Sequence, residues 1–146
     1  MFVKVCGTTS EEDALLAVAM GADAVGFIFA PSPRQVAPRH VADIVRRLPA
    51  EILTVGVFRD ELPDRVIEVV QSTGLKAAQL HGHERPEDTL RVKERVPVVF
   101  KAFAAGDRAV RDARKHGATA VLVDNPQPGS GQVFDWSLAE DVPGGL

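Results

Sequence analysis

The stretch Gly21-Ala-Asp-Ala-Val-Gly-Phe27 recurs in altered form at Gly74-Leu-Lys-Ala-Ala-Gln-Leu80 and Gly117-Ala-Thr-Ala-Val-Leu-Val123. Each copy has a glycine, a short polar linker, an alanine and then an apolar run. A glycine suits the position just after a helix, because a left-handed backbone costs it little. The repeat therefore predicts helices that end at a glycine and lead directly into buried strands.

Short apolar runs alternate with longer amphipathic stretches over the rest of the chain. The runs predict strands at Phe2–Cys6, Ala24–Phe29, Leu53–Phe58, Ala77–Leu80, Val98–Lys101 and Ala120–Asp124. The stretches predict helices near Ser10–Met20, Pro38–Leu48, Leu62–Ser72, Pro86–Arg95 and Asp107–His116, with Ser10 as the N-cap of the first. Strands that are apolar on both faces are typical of a parallel sheet covered by helices.

This order of elements predicts an α/β fold, the (β/α)8 TIM barrel, with about six strand–helix units in a single, incomplete domain over residues 1–146. The alternative is a doubly wound open sheet. Against it, the first strand leads into Cys6-Gly7-Thr8-Thr9 and not into the Gly-rich loop of a dinucleotide-binding fold.

Composition excludes several classes of protein. The chain has 146 residues, 45% hydrophobic residues, a net charge of −3 and one cysteine. The negative charge argues against nucleic acid as a partner, and the lack of a long apolar run argues against a membrane span. A single cysteine and an N-terminus without signal-peptide features favour a reducing, cytoplasmic location.

Polar residues stand at the predicted strand ends, where barrels carry their chemistry. They comprise Lys4 and Cys6 on one side of the first strand, Gln79 and His81 on one side of the fourth, Asp124 at the end of the sixth, and Arg34 after the second. Each has a structural alternative. Cys6 could be a small buried hydrophobe, Asp124 a turn residue and Lys4 a buried ion-pair partner.

Three further sets of residues, two of histidines and one of phenylalanines, bear on the chemistry of a site. The sequence His81-Gly82-His83-Glu84 has two histidines and a carboxylate, but no third His or Cys at zinc-ligand spacing, so no metal site is predicted. His40 and His116 fall on predicted helices and are expected at the surface. Phe27 and Phe29 could form an apolar wall for a ring or pack in the core.

These strand-end motifs resemble one family, the phosphoribosylanthranilate isomerases of tryptophan biosynthesis. The resemblance extends in family order from residue 2 to about residue 138 and is most specific in its Lys-x-Cys-Gly start combined with Gln-Leu-His-Gly. The similar segments are Lys4-Val-Cys-Gly-Thr-Thr9, Gly21-Ala-Asp-Ala-Val-Gly-Phe-Ile-Phe29, Ser32-Pro-Arg34, Val55-Gly-Val-Phe58, Gln79-Leu-His-Gly82 and Gly131-Gln-Val-Phe-Asp-Trp136.

The resemblance implies the Amadori rearrangement of N-(5'-phosphoribosyl)anthranilate, an aminoaldose, to 1-(2-carboxyphenylamino)-1-deoxyribulose 5-phosphate. An acid must protonate the ring oxygen as the furanose opens, and a base must take the C2' proton from the resulting iminium. The resemblance assigns Cys6 as the base and Asp124 as the acid. It assigns Arg34 to the anthranilate carboxylate and Gln79, His81 and Lys4 to the pocket. It implies no cofactor and no metal.

The sequence departs from this family at its end, Glu140-Asp-Val-Pro-Gly-Gly-Leu146. Family members are complete eight-unit barrels, and the seventh and eighth units, whose loops hold the substrate phosphate, are expected to follow this point. The first and sixth strands are therefore predicted to be open edges prone to self-association. Two hypotheses follow: a fragment of an active isomerase, or a non-catalytic remnant that binds a ligand or a partner chain.

Overall fold

The computed structural model describes residues 1–124 and 133–135 of the chain. In this part the strands are β1 Val3–Val5, β2 Ala24–Ile28, β3 Leu53–Phe58, β4 Ala77–Leu80, β5 Val98–Ala104, β6 Ala120–Asp124 and β7 Val133–Asp135. The α-helices are α1 Glu11–Ala19, α2 Pro38–Val45, α3 Pro63–Thr73 and α4 Pro86–Lys93. A 3₁₀ helix spans Arg108–His116 between β5 and β6.

The strands form one curled sheet in which β1 to β6 pair in chain order, each parallel to the next. A doubly wound sheet would reverse its strand order at a switch point, and this sheet does not. The TIM-type prediction with about six units is therefore confirmed.

Successive residues of each strand face opposite sides of the sheet, and the two faces differ in what covers them. The outer face packs Val25 and Phe27 of β2 against helix residues such as Val41 and Val66. The inner, concave face carries a separate cluster made of strand residues only: Ala24, Val55, Ala77, Phe100, Ala102, Ala120 and Leu122. Phe27 is a fully buried core residue, so it cannot form a wall for a ligand.

The predicted helix caps are confirmed. Ser10 is the N-cap of α1, and its hydroxyl accepts a hydrogen bond of 3.1 Å from the backbone N–H of Asp13. Gly74 ends α3 with φ 79° and Gly117 ends the 3₁₀ helix with φ 62°, both in the left-handed region. The glycine repeat thus marks the turns that return the chain into β4 and β6.

The fifth predicted helix is a 3₁₀ helix, and this corrects the surface prediction for His116. A 3₁₀ helix has three residues per turn, so Val110, Ala113 and His116 fall on one face. That face packs against the sheet, and His116 is only 3% exposed. The prediction for His40 is confirmed, since that residue is exposed on α2.

The prediction that β1 is an open edge is wrong. Strand β7 pairs antiparallel with β1, with Lys4 opposite Phe134, so the backbone groups on this side of β1 have partners. Within the described residues β6 pairs with β5 alone and forms the other edge of the sheet. None of the helices in these residues is long and apolar enough to cross a membrane.

Candidate active site

The end of β1 places a buried ammonium and a free thiol side by side. Lys4 is 2% exposed, and Cys6 is partly buried. A Cβ placed on Gly26 of β2 would lie 3.1 Å from Cys6 Sγ and 3.5 Å from Lys4 Nζ. Both groups therefore border the space that the missing side chain at Gly26 leaves. A cation beside a thiol is the arrangement that favours a reactive thiolate in proteins.

A chain of hydrogen bonds leads from this ammonium to the end of β4. Lys4 Nζ donates to Gln79 Oε1 over 2.5 Å, and Gln79 Nε2 lies 3.1 Å from His81 Nδ1. Because the amide oxygen faces a group that can only donate, the amide nitrogen must be the donor to His81. The Nδ1 atom therefore accepts, and the ring proton of His81 is on Nε2. The prediction that Gln79 and His81 share one side is thereby confirmed.

Arg34 joins the site from the loop after β2. A Cβ on Gly7 would lie 2.9 Å from Arg34 Cδ and 3.2 Å from Nη1, so the arginine packs directly on the turn that follows Cys6. Gly7 has φ 83°, and its N–H donates to the carbonyl of Gly26, which fixes this turn. Within residues 1–124 and 133–135 no carboxylate pairs with the Arg34 guanidinium, which leaves its planar fork available for a ligand.

Asp124 is placed by its backbone only. It is the last residue of β6, in register with Ala104 of β5, and its side chain lies outside what the structure describes. The segment Gly129-Ser130-Gly131 also lies outside the described residues. The structure thus brings Lys4, Cys6, Gln79 and His81 together, with Arg34 beside them.

Among the described residues no group of three or more His, Cys, Asp and Glu side chains could hold a metal ion. Glu84 has a different partner, since its carboxylate lies 3.1 Å from the ammonium of Lys101 in a pair buried on the outer face of the sheet. Sequence reasoning missed this pair. The signal that could have found it is a lysine in the apolar strand Val98–Ala104, which needs a buried counter-charge.

Phe29 lines a separate cavity of about 490 Å³ beneath the start of α2 and α3. Its ring stacks on that of Phe58, with centroids 5.2 Å apart. The cavity is also lined by Gln35 and Arg65 but by neither Cys6 nor His81. Phe29 thus packs against the core and also lines this cavity, which does not include the Cys6 thiol.

Comparisons with known proteins agree with this geometry. The family model for N-(5'-phosphoribosyl)anthranilate isomerase matches residues 3–144. The N-(5'-phosphoribosyl)anthranilate isomerase of Desulforudis audaxviator (strain MP104C) is 44% identical over 147 residues, which are 96% of this chain and 71% of the relative.

Solved structures give the same result. The crystal structure of phosphoribosyl anthranilate isomerase from Thermus thermophilus is similar with a TM-score of 0.83 and 41% identity, over 96% of this chain and 70% of that one. A phosphoribosyl anthranilate isomerase in complex with reduced 1-(o-carboxyphenylamino)-1-deoxyribulose 5-phosphate is similar with a TM-score of 0.77 and 39% identity, over 92% and 66%. The chain therefore belongs to the N-(5'-phosphoribosyl)anthranilate isomerase family, whose members are isomerases of tryptophan biosynthesis.

Proposed function

We propose that residues 1–146 carry the acid and the base that isomerise N-(5'-phosphoribosyl)anthranilate, with Cys6 as the base. The observation that carries this proposal is the position of the Cys6 thiol beside the buried ammonium of Lys4, across the bare backbone of Gly26. No carboxylate pairs with Lys4 in the part of the chain that the structure describes. A cysteine is a side chain that can serve as a general base, and a neighbouring cation is typical of the cysteines that do so.

Asp124 is the proposed acid. In the first step it gives a proton to the ribose ring oxygen, the C1'–O bond breaks, and the anthranilate nitrogen becomes an iminium. In the second step Cys6 takes the proton from C2', which leaves an enolamine that tautomerises to the ketone. The backbone of Asp124 ends β6, on alternate positions with Ala120 and Leu122 of the inner cluster, which supports a place at the mouth of the sheet.

Arg34 is the proposed clamp for the anthranilate carboxylate. Its guanidinium is partly buried against Gly7, next to the proposed base, and has no carboxylate partner among the described residues. Two parallel N–H donors suit a planar carboxylate, and fixing that group holds the sugar carbon C2' at a constant distance from Cys6.

Lys4, Gln79 and His81 are proposed to line the pocket beside the sugar. Their hydrogen-bond chain holds the ring of His81 through its Nδ1 atom and so sets the direction in which the ring faces. Lys4 lies at the other end of this chain and places a positive charge near Cys6. Gln79 holds the two ends at a fixed spacing.

The wider setting of the chain is also part of the proposal. We assign it to the cytoplasm, where one free cysteine stays reduced, and we infer that two copies associate through the edge of β6 that has no partner strand among the described residues. Sedimentation velocity tests the second point. A monomer at all concentrations up to about 100 μM, the range in which weak protein pairs form, would contradict it.

The catalytic assignment is tested by following the fluorescence of the anthranilate-ribosyl substrate with the 146-residue chain. We expect Cys6→Ser and Asp124→Asn each to lower kcat by about 10³-fold or more. The matched control is Lys115→Met on the exposed 3₁₀ helix, which should leave kcat unchanged. Activity that survives both site substitutions contradicts the roles. Wild-type chain that binds the reduced product analogue without turnover would instead support the second hypothesis, a ligand-binding remnant.

A further inference from the structure

A buried ion pair lies behind the candidate active site, on the outer face of the sheet. Lys101 of β5 and Glu84 of the loop after β4 face each other at 3.1 Å, with side chains 1% and 3% exposed. Neither residue belongs to the inner face that carries Cys6, and the proposed mechanism uses neither of them. The question is what this pair does.

The ammonium of Lys101 holds backbone carbonyls at the end of β4. It donates to the carbonyl of Gly82 at 2.9 Å and lies 3.4 Å from that of Leu80. It also donates to the carbonyl of Ala102 on its own strand at 2.9 Å. These contacts grip the chain on both sides of His81, the residue between Leu80 and Gly82.

The carboxylate of Glu84 binds the same segment through its backbone N–H groups. Its two oxygens accept from the N–H of Gly82 at 2.9 and 3.1 Å, and Oε2 also accepts from the N–H of Asp60 at 2.8 Å. The pair therefore binds both the N–H and the carbonyl of Gly82. A Cβ on Gly82 would lie 2.7 Å from the backbone nitrogen of Asp60, so only glycine fits in this clasp.

Asp60 ties the loop after β3 into the same unit. Its backbone is left-handed, with φ 53°, and Oδ1 accepts from the N–H of His83 at 2.6 Å. His81 itself donates its backbone N–H to the carbonyl of Phe58 at 2.8 Å. The backbone before, at and after His81 is thus fixed by neighbours from β3, β4 and β5.

Stability alone does not explain such a pair. Apolar residues of similar volume often replace a buried ion pair without loss of stability, because desolvation offsets the Coulomb attraction. What an apolar pair cannot supply is the set of directional hydrogen bonds to Leu80, Gly82 and Asp60. Those bonds end on the segment that carries His81, and His81 is held on its other side by Gln79.

We propose that Lys101 and Glu84 are positioning residues that fix the imidazole of His81 in the pocket, an inference that rests on the proposed function of His81. They act through the backbone of Leu80 and Gly82 and touch no substrate. In their absence the loop after β4 is free to move relative to β5. The His81 ring then loses the position that its hydrogen bond to Gln79 defines.

The test uses the full chain with both partners replaced, Lys101→Met together with Glu84→Leu, so that no buried charge is left alone. The matched control is Arg91→Met with Asp64→Leu, an exposed pair between α4 and α3 that does not touch the loop. The first measurement is the NMR signal of the His81 ring, assigned with a His81→Gln variant. The second is the separation of kcat from KM.

We expect the double variant to stay folded, to shift or broaden the His81 ring signals, and to lower kcat by about tenfold, as misplacement by a fraction of an ångström does. We expect Glu84→Gln, which keeps an acceptor for Lys101, to give a smaller change in the same direction. The control pair should change neither measurement.

The outcomes separate this inference from the proposed function. Unchanged His81 signals in a folded double variant overturn the positioning role whatever the activity. If the wild-type chain has no turnover, the proposed catalysis by this chain fails, and the His81 signals still decide the role of the pair. If the double variant does not fold, the His81 signals of Glu84→Gln take over that decision, and their lack of change overturns the role.

Discussion

Lys4 and Lys101 are the same residue type, are buried to nearly the same degree at 2% and 1% exposure, and lie within strands of the same parallel sheet. Their surroundings differ. Lys101, on the outer face, has the Glu84 carboxylate and three backbone carbonyls within reach and lies 4.7 Å from the centre of the Phe103 ring. Lys4, on the inner face, has one amide oxygen and a neighbouring thiol.

This difference separates a structural charge from a chemical one. Burying an ammonium is costly unless other groups replace its water, and around Lys101 the protein supplies that replacement in full. Around Lys4 the described residues supply one hydrogen-bond acceptor, and the remaining demand is for an anion that arrives during the reaction. Burial by itself therefore does not identify a functional lysine, whereas incomplete compensation does.

The largest expected effect comes from removing one partner of the Lys101–Glu84 ion pair. Lys101→Met leaves Glu84 buried without its cation, and we expect the free energy of unfolding to fall by about 3–5 kcal/mol. Urea unfolding followed by circular dichroism measures this. Adding Glu84→Leu to the same chain should recover most of the loss, because no unpaired charge is then buried. A loss below about 1 kcal/mol, the range of exposed pairs, would contradict the account.

Replacement of Lys4, whose charge is only partly compensated, should change the activity and not the stability. Lys4→Met strands no carboxylate, so we expect the free energy of unfolding to change by less than about 1 kcal/mol. Loss of a preorganised charge beside the base should lower kcat by about 10²-fold, or about 2.7 kcal/mol. Alkylation of Cys6, the single cysteine, gives a second measurement and should slow by about tenfold. Lys115→Met is the exposed control, and equal alkylation rates in both variants would refute the role of Lys4.

The two lysines also show how far the sequence predicts this molecule. Apolar runs and glycine turns were enough to predict strands β1 to β6, and spacing by two residues placed Lys4 with Cys6 and Gln79 with His81. The sequence alone did not predict which residues of the neighbouring strands contact these side chains. Gly26 meets Cys6 because β1 pairs with β2 in one particular register, which no local pattern encodes.

The missed features depend on long-range geometry in the same way. Lys101 and Glu84 lie on different elements, and their pairing follows from how the loop after β4 folds over β5. His116 was expected at the surface because α-helical periodicity was assumed, whereas the observed 3₁₀ periodicity turns it inward. Strand β7 was missed because Val133–Asp135 is too short to give a strand pattern.

A pair of glycine substitutions compares the two sides directly. Gly82→Ala places a Cβ 2.7 Å from the Asp60 nitrogen inside the clasp, and we expect a loss of about 1–3 kcal/mol in the free energy of unfolding from overpacking. Gly26→Ala meets Cys6 Sγ at 3.1 Å, a milder contact, and should cost less stability but change the alkylation rate of Cys6. Both variants are measured by urea unfolding and by alkylation. A larger loss of stability in Gly26→Ala than in Gly82→Ala would show that the packing around Gly82 is not the tighter of the two.

The smallest expected effect tests whether the charge of Lys101 is still felt outside its pair. Burial and then the nearby Lys101 ammonium hold the pKa of His116 below its usual value of 6.5, while Glu84, Asp112 and Glu87 raise it. The Nδ1 atom of His116 lies 2.7 Å from the Thr89 hydroxyl, and its ring meets that of Phe103 edge-on. Since the folded-state pKa is depressed, the unfolded chain takes up this proton first as the pH falls below about 6.5.

The free energy of unfolding should therefore fall below pH 6.5, by no more than about 1.4 kcal/mol per pH unit from this one group. Urea unfolding at about pH 7.0, 6.5, 6.0 and 5.5, a range around the reference pKa of histidine, measures this slope. The variant His116→Asn should lose the contribution that His116 makes to the slope. His40→Asn, which removes an exposed histidine, is the control. Equal slopes in the wild type and His116→Asn would contradict a depressed pKa. In the Lys101→Met, Glu84→Leu chain, burial alone lowers the pKa of His116, because the nearby ammonium is gone. A smaller slope in this chain would therefore show that the charge of Lys101 acts on His116.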